Sequence, residues 1–220
     1  MKTDVLIQQA VLDALHYEPS LNPGEIGVMV RDGVVTLLGK VESLPKKQLA
    51  AHTARAVKGV KAIVEKIDIQ PKQETARTDR QLLDDVTRAL KQNETLDAKQ
   101  ISIEATDGIV TLSGIVKWNY QRQAAHHEAS RVPGVKNVFN HLTLQSAAHD
   151  MVEKEMIEEA MARHWSLSAQ EVRISVDKNT VTLSGEVESL YQKDEAERLA
   201  WKADGVQHVD NQLKIVHKAF

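Results

Sequence analysis

Three tandem α+β units are predicted by two short motifs and by the spacing that the motifs share. The segment DGVVTLLG at 32–39 returns as DGIVTLSG at 107–114 and as KNTVTLSG at 178–185, with offsets of 75 and 71 residues. A Gly-Val pair at 59–60 returns with the same two offsets. Two separate motifs with one pair of offsets indicate copies of a whole domain. The expected bounds of the first, second and third repeats are 1–70, 78–145 and 149–217.

Each repeat opens with the pattern of an amphipathic helix. Ile7, Val11 and Leu15 follow one another at four-residue spacing, behind Thr3 or Asp4 as the N-cap. The helix is followed by a loop that carries a leucine in every repeat, which we expect to be buried under the helix. The corresponding apolar residues of the other repeats are Leu82, Val86, Leu90 and Ile157, Ala160, Met161, and the loop leucines are Leu21, Leu96 and Leu167.

Two alternating segments then predict a β-hairpin in each repeat. The Asp-Gly pairs at 32–33 and 107–108 favour a two-residue turn because both residues tolerate positive φ, and Asn179 takes the glycine's place in the third repeat. The second strand carries a glycine on its apolar face, at Gly39, Gly114 or Gly185. Because glycine weakens a strand, its presence predicts a helix backbone that crosses close to the sheet at this point.

A second helix and a third strand complete the repeat. Ala50, Ala54 and Val57 have helical spacing, and Gly59 stands where a helix ends in a left-handed residue. An alternating segment at 60–69 predicts the last strand. Each unit is therefore expected to be α-β-β-α-β, with two helices packed on one face of a small mixed three-stranded sheet.

Composition excludes several classes of function. The chain has no Cys, which excludes disulfides, thiolate metal sites and thiol nucleophiles. Residues 1–70 carry nine Lys or Arg and eight Asp or Glu, whereas 149–220 carry nine and fourteen, so no repeat has the concentrated positive charge of a nucleic-acid binder. No apolar run is long enough for a signal peptide or a transmembrane segment. We expect a cytoplasmic protein.

No pattern for catalysis or cofactor binding is present. The glycines are isolated, so no phosphate loop is predicted, and the Leu-Ser-Gly of Ser113 and Ser184 has Leu38 in the first repeat, which argues against a serine nucleophile. The histidines lack the spacing of a zinc site, and His52 is equivalent to His127 on a polar helix face. The expectation is a protein that is not an enzyme and has no cofactor or metal.

Basic residues distinguish the first repeat from the others. They are Lys46, Lys47, Arg55, Lys58, Lys61 and Lys66. A basic group near an anionic membrane surface contributes about 1 kcal/mol of binding. The alternative is an ordinary charged face. Of these, Lys46, Lys47, Arg55 and Lys58 are the candidate contacts with lipid or a partner.

Aromatic residues distinguish the second repeat. Trp118 and Tyr120 follow its second strand, and Tyr191 takes the place of Tyr120 in the third repeat. Their amphipathic rings suit an interface, either with lipid headgroups or with another repeat. Trp165 and Trp201 are further candidates for packing between repeats. The acidic residues of the third repeat's first helix, Glu153, Glu155, Glu158 and Glu159, are interpreted as a solvated face.

The repeated motifs resemble those of the BON domain family, the bacterial OsmY and nodulation domain. The resemblance rests on the Asp-Gly-x-Val-x-Leu-x-Gly-x-Val hairpin and on a closing Gly-Val-x-x-Val-x-Asn, whose Asn is Asn140 or Asn211 but Glu65 in the first repeat. It implies a non-enzymatic module of osmotic or envelope stress that attaches to phospholipid surfaces or partner proteins. Most members are exported, which makes the periplasm the alternative location.

Two other functions are open at this point. One is a cytosolic scaffold or oligomerising protein with no lipid role, which predicts that Trp118, Trp165 and Trp201 are buried between repeats. The other is small-ligand or potassium sensing, which the resemblance to cytosolic BON proteins implies.

Overall fold

The computed structural model describes residues 4–71, 77–145, 152, 154–164, 166–167 and 172–216. The first repeat consists of α1 (Asp4–His16), β1 (Ile26–Arg31), β2 (Val34–Val41), α2 (Leu44–Arg55) and β3 (Ala62–Ile69). The second consists of α3 (Asp79–Gln92), β4 (Ile101–Thr106), β5 (Ile109–Val116), α4 (Asn119–Arg131) and β6 (Asn137–Leu144). The third consists of α5 (Lys154–Ala162), β7 (Val172–Asp177), β8 (Thr180–Val187), α6 (Leu190–Ala200), β9 (His208–Asn211) and β10 (Lys214–Ile215). The predicted α-β-β-α-β order is confirmed.

Each sheet is mixed, with the second strand of the repeat in the centre. In the second repeat β5 runs antiparallel to β4 and parallel to β6, and Leu112 lies opposite Ile103 and Asn140. The third sheet repeats this arrangement, and β9 and β10 keep one register along β8, so they form a single interrupted strand. The parallel pairing is possible because the second helix crosses over between the two strands.

The cores are aliphatic, as the scarcity of aromatic residues predicts. On β5, Val110, Leu112 and Val116 are buried while Ile109 and Ile115 are exposed, so only one face of the sheet is covered. The helices α3 and α4 pack on that covered face. The loop leucines Leu21, Leu96 and Leu167 are all buried, as expected.

In the first and second repeats, the hairpin turn is held by an aspartate from the first helix. Asp107 and Gly108 have φ of 53° and 81°, as a two-residue turn of twisted strands requires. The Asp79 carboxylate accepts the N–H of Asp107 at 3.0 Å and that of Gly108 at 3.1 Å. Asp4 does the same in the first repeat. The Asp79 carboxylate is thus used by the hairpin, and the N-cap of α3 is Thr78, which forms a capping box with Gln81.

The strand glycines have a different role from the one predicted. Gly39, Gly114 and Gly185 have φ of 135°, 134° and 120°, a region that L side chains rarely adopt. A Cβ on Gly114 would lie 2.1 Å from the backbone oxygen of Gln100, the last residue of a short 3-10 helix (Ala98–Gln100) that leads into β4. The close neighbour of Gly114 is thus the short helical turn before β4 and not the second helix of the repeat, as the sequence had suggested.

Contacts between residues group the chain into two compact units. One unit comprises Met1–Leu38, Ala50–Lys66 and Ala147–Phe220, and thus brings most of the first repeat together with the third. The other comprises Gly39–Leu49 and Ile67–Ser146, and thus brings a short part of the first repeat together with the second.

Candidate functional site

Two of the predicted basic contacts pair with carboxylates of the third repeat. Arg55, the last residue of α2, places Nη1 2.9 Å from Asp194 Oδ2 on α6. Lys58, in the turn after α2, places Nζ 3.2 Å from Glu188 Oε2, just before α6. Arg55 Nη2 also lies 4.0 Å from Glu65 on β3. The basic residues of the first repeat thus meet the excess acid of the third.

These ion pairs lie at the surface of the protein. The side chains of Arg55 and Asp194 are 38% and 43% exposed, and those of Lys58 and Glu188 are 53% and 30% exposed. Exposed pairs of this kind contribute about 0–1 kcal/mol each and are screened by salt. These ion pairs therefore contribute more to the choice of the partner repeat than to the stability of the fold.

The other basic residues lie apart from this contact. Lys46 Nζ is 3.1 Å from the Oε2 of Glu42, which lies just before α2. Lys47 is partly exposed, and Lys61 and Lys66 are exposed. Three of the four predicted basic contacts, Lys46, Arg55 and Lys58, therefore lie within hydrogen-bonding distance of a carboxylate.

The closing Asn of the repeat joins the last strand to the second helix. Asn140 Nδ2 donates to the backbone oxygen of Arg122 at 2.7 Å, and its Oδ1 accepts from Leu142 N at 3.1 Å. Asn211 makes the equivalent pair of bonds in the third repeat. These bonds explain the motif as structural. The first repeat has Glu65 at this place, the carboxylate that faces Arg55.

A second contact joins the first and second repeats. Gln48 Nε2, on α2, lies 3.4 Å from Ser130 Oγ and 3.4 Å from His126 Nε2, both on α4. Leu44, at the start of α2, is 4% exposed and belongs to the buried cluster of the second repeat. Burial, with a smaller effect of neighbouring His127, lowers the pKa of His126 below its usual value.

Large exposed apolar side chains occur in both the first and the second repeat, and those of the first are Val5, Leu6, Tyr17, Met29 and Val64. Trp118 and Tyr120, at the start of α4, are 39% and 55% exposed. Ile109, Ile115 and Phe139 point from the uncovered face of the sheet and are 37%, 53% and 48% exposed. The position of the Trp118 backbone is set by Gln121, whose Oε1 accepts the Trp118 N–H at 3.1 Å. Trp118 and Tyr120, at the start of a helix on the covered face, and Ile109, Ile115 and Phe139, on the uncovered face, are two separate groups of exposed apolar side chains.

The three exposed sheet residues were not predicted from the sequence. Ile109, Ile115 and Phe139 occupy strand positions opposite to the core, where a polar residue is expected. A comparison of the repeats at the outward positions would have found them. The corresponding residues of the third repeat are all polar, namely Thr180, Glu186 and Asp210.

The remaining aromatic candidates lie elsewhere. Tyr191, on α6, is partly buried. Trp201 packs against the buried cluster of its own third repeat. Trp165, like Glu153, lies outside the described residues. The exposure of Trp118 departs from the burial between repeats that the scaffold alternative predicts.

A cluster of polar side chains in the third repeat has the residue types of a hydrolytic triad. His164 Nε2 lies 2.9 Å from Glu195 Oε1, and His164 Nδ1 lies 3.0 Å from Ser166 Oγ. Glu195 is buried and accepts from Arg198 Nε at 2.8 Å as well as from Arg198 Nη2. The hydrogen bond from Arg198 lowers the pKa of Glu195.

The second repeat has an equivalent turn with different side chains. Asn93 and Thr95 occupy the places of His164 and Ser166, and Thr95 Oγ1 donates to Asn93 Oδ1 at 2.6 Å. The same turn thus exists where no imidazole is present. In the third repeat the turn connects α5 to α6 through Glu195.

The described residues contain no group of three His, Asp or Glu side chains that could hold a metal ion. Within the same residues, no helix combines the length and the apolar character that crossing a bilayer requires.

Comparison with known proteins gives a consistent family match. The BON domain family model matches residues 3–71, 78–146 and 152–217. Osmotically-inducible protein Y of Escherichia coli (strain K12) is 30% identical over 143 residues, which are 63% of this chain and 71% of that protein.

Two solved structures of CdsD, a structural protein of the type III secretion system of Chlamydia trachomatis, align over nearly the whole chain. The first covers 96% of this chain and 92% of its own, at 16% identity and a TM-score of 0.25. The second, of the C-terminal domain, covers 98% and 99%, at 15% identity and a TM-score of 0.26. TM-scores this low support no inference about the present chain.

Proposed function

This chain belongs to the BON domain family, and from that premise we propose that it is a non-catalytic binding protein of osmotic or envelope stress that attaches to phospholipid surfaces. The stress context is supported by the relative, which is named as osmotically inducible. The attachment is the property that the family resemblance implies.

The observation that carries the proposal is the exposure of two aromatic side chains at the start of α4. Trp118 and Tyr120 are exposed beside Lys117, a combination of amphipathic rings and positive charge that suits the headgroup region of a bilayer. Burial of a large apolar side chain contributes roughly 1.5–3 kcal/mol. Burial of these two rings in a bilayer would therefore contribute at most about 3–6 kcal/mol to attachment.

The basic residues of the first repeat support the proposal less than the aromatics do. Lys46, Arg55 and Lys58 face carboxylates, which reduces their attraction for an anionic surface. Lys47 and Tyr191 remain predicted contacts. We place the main contact at Trp118 and Tyr120 for this reason.

Flotation with phospholipid vesicles tests the proposal. The full chain should float with vesicles that contain anionic lipid at low salt, and the Trp118→Ala/Tyr120→Ala variant should float at least tenfold less. Tyr17→Ala is the matched control, because Tyr17 is 86% exposed in the first repeat. Absence of flotation of the unmodified chain, or equal loss in the control, would refute the proposal.

A second candidate is a scaffold function without lipid, favoured by the ion pairs that join the first and third repeats. Small-ligand or potassium sensing is a third candidate and rests on the family resemblance alone. For location we propose the cytoplasm, with the periplasm as the alternative. Fractionation of cells that express the chain under osmotic stress distinguishes the two compartments.

A further inference from the structure

Among the described residues, two contacts between repeats involve equivalent positions of the repeat. Asp194 and Gln48 are equivalent under the repeat offsets, and so are their partners Arg55 and Ser130. Asp194 of the third repeat meets Arg55 of the first, and Gln48 of the first meets Ser130 of the second. In each case the first half of one second helix approaches the end of another.

We propose that the second helix is a docking surface by which BON repeats of this chain bind one another, used twice in the same orientation. The surface has a leading side, which contains Asp194 or Gln48, and a receiving side, which contains Arg55 or Ser130. In the contact between the first and second repeats, the leading side also supplies Leu44 to the buried cluster of the second repeat. Leu190 occupies the place of Leu44 in the third repeat.

Complementary charge favours docking of the third repeat onto the first. The leading side of the third repeat carries Glu188 and Asp194, and the receiving side of the first carries Lys58 and Arg55. The leading side of the second repeat has Lys117 at the place of Glu188, so on the first repeat it would bring Lys117 to Lys58. Like charges at a contact disfavour that pairing.

The same reasoning disfavours pairing between third repeats of two molecules. The third repeat has Asp204 at the place of Lys58, so a second copy of its leading side would bring Glu188 to Asp204. The acidic leading side therefore has one well-matched receiver in this chain, the first repeat. This selection does not depend on lipid binding.

The two contacts differ in their dependence on salt. The contact between the third and first repeats relies on exposed ion pairs, which are screened when the Debye length falls from about 10 Å at 0.1 M to about 3 Å at 1 M salt. The contact between the first and second repeats relies on Leu44 and on uncharged Gln48, so salt has little effect on it. High salt should loosen one contact and leave the other.

A charge-swap experiment on the full chain tests the proposal. Spin labels are attached at Met29→Cys in the first repeat and Ser175→Cys in the third, both at exposed positions. Because the sequence has no Cys, no other residue is labelled. With the native charges in place, pulsed EPR should give one narrow distribution of the distance between the two labels. Reversal at Glu188→Lys/Asp194→Arg should broaden it, and addition of Lys58→Glu/Arg55→Asp should make it narrow again.

The control is Glu155→Lys/Glu159→Arg, the same change of charge on α5 of the third repeat, which should leave the distribution narrow. Circular dichroism checks that every variant is folded. A distribution that the Glu188/Asp194 reversal leaves narrow, or that the full swap fails to restore in a folded protein, would overturn the proposal. So would equal broadening in the control.

Discussion

Removal of the Asp79 carboxylate should loosen the hairpin of the second repeat. Asp79 accepts two backbone N–H groups, from Asp107 at 3.0 Å and from Gly108 at 3.1 Å. Hydrogen bonds to a charged group contribute about 1.5–3 kcal/mol when buried. The bond to Asp107 is exposed and that to Gly108 is partly buried, so the pair should contribute about 2 kcal/mol in total.

Hydrogen exchange measured by NMR reports this contribution at the two amides themselves. In Asp79→Ala, exchange of the Asp107 and Gly108 amides should become roughly 30-fold faster, the factor that corresponds to about 2 kcal/mol. Asp79→Asn retains one acceptor oxygen and should have about half the effect in free energy. Asp84→Ala, an exposed aspartate on the same helix, is the control. Unchanged exchange at Gly108 in the alanine variant would refute the reasoning.

Three further perturbations have defined outcomes. Gly114→Ala should lower the free energy of unfolding by about 3 kcal/mol or more, because the new Cβ meets the neighbouring backbone at 2.1 Å; Gly24→Ala, with open space around it, should be neutral in urea titration. The free energy of unfolding should fall as pH drops through 6.5, since the unfolded chain binds a proton that folded His126 disfavours; His126→Gln should flatten that slope. A double-mutant cycle on Arg55 and Asp194 should give a coupling of at most about 1 kcal/mol at low salt and near zero at 1 M; a salt-independent coupling would contradict the surface character of the pair.

The order of helices and strands could be predicted because the same periodicity of apolar residues occurs in all three repeats. The Asp-Gly hairpins and the buried loop leucines follow from local rules for turns and hydrophobic spacing. The aspartate that holds the hairpin could not be predicted, because Asp79 lies 28 residues from Asp107 and its role depends on tertiary structure. The equivalent Asp4 was predicted as an N-cap because it stands at the start of the first helix.

The role of the strand glycine was predicted incorrectly for a related reason. Periodicity places Gly114 on the core face but does not give its φ or the register that brings Gln100 next to it. The basic residues of the first repeat were correctly singled out as different. Their partners Asp194 and Glu188 lie more than 100 residues away along the chain, so no local pattern connects them.

The candidate lipid contact could be predicted in part. Trp118 and Tyr120 stood out because the first repeat has Ser43 and Pro45 at their places. Ile115 and Phe139 were not predicted because only the core-facing positions of the strands were considered.

The most direct measurement of the central claim is quenching of Trp118 by brominated phospholipid. In a Trp165→Phe/Trp201→Phe chain, Trp118 is the one remaining tryptophan. If the second repeat attaches to the bilayer, anionic vesicles with brominated acyl chains should quench its fluorescence, and Tyr120→Ala should weaken the effect. Vesicles that bind the chain without quenching Trp118, or that do not bind it at low salt, would contradict the account.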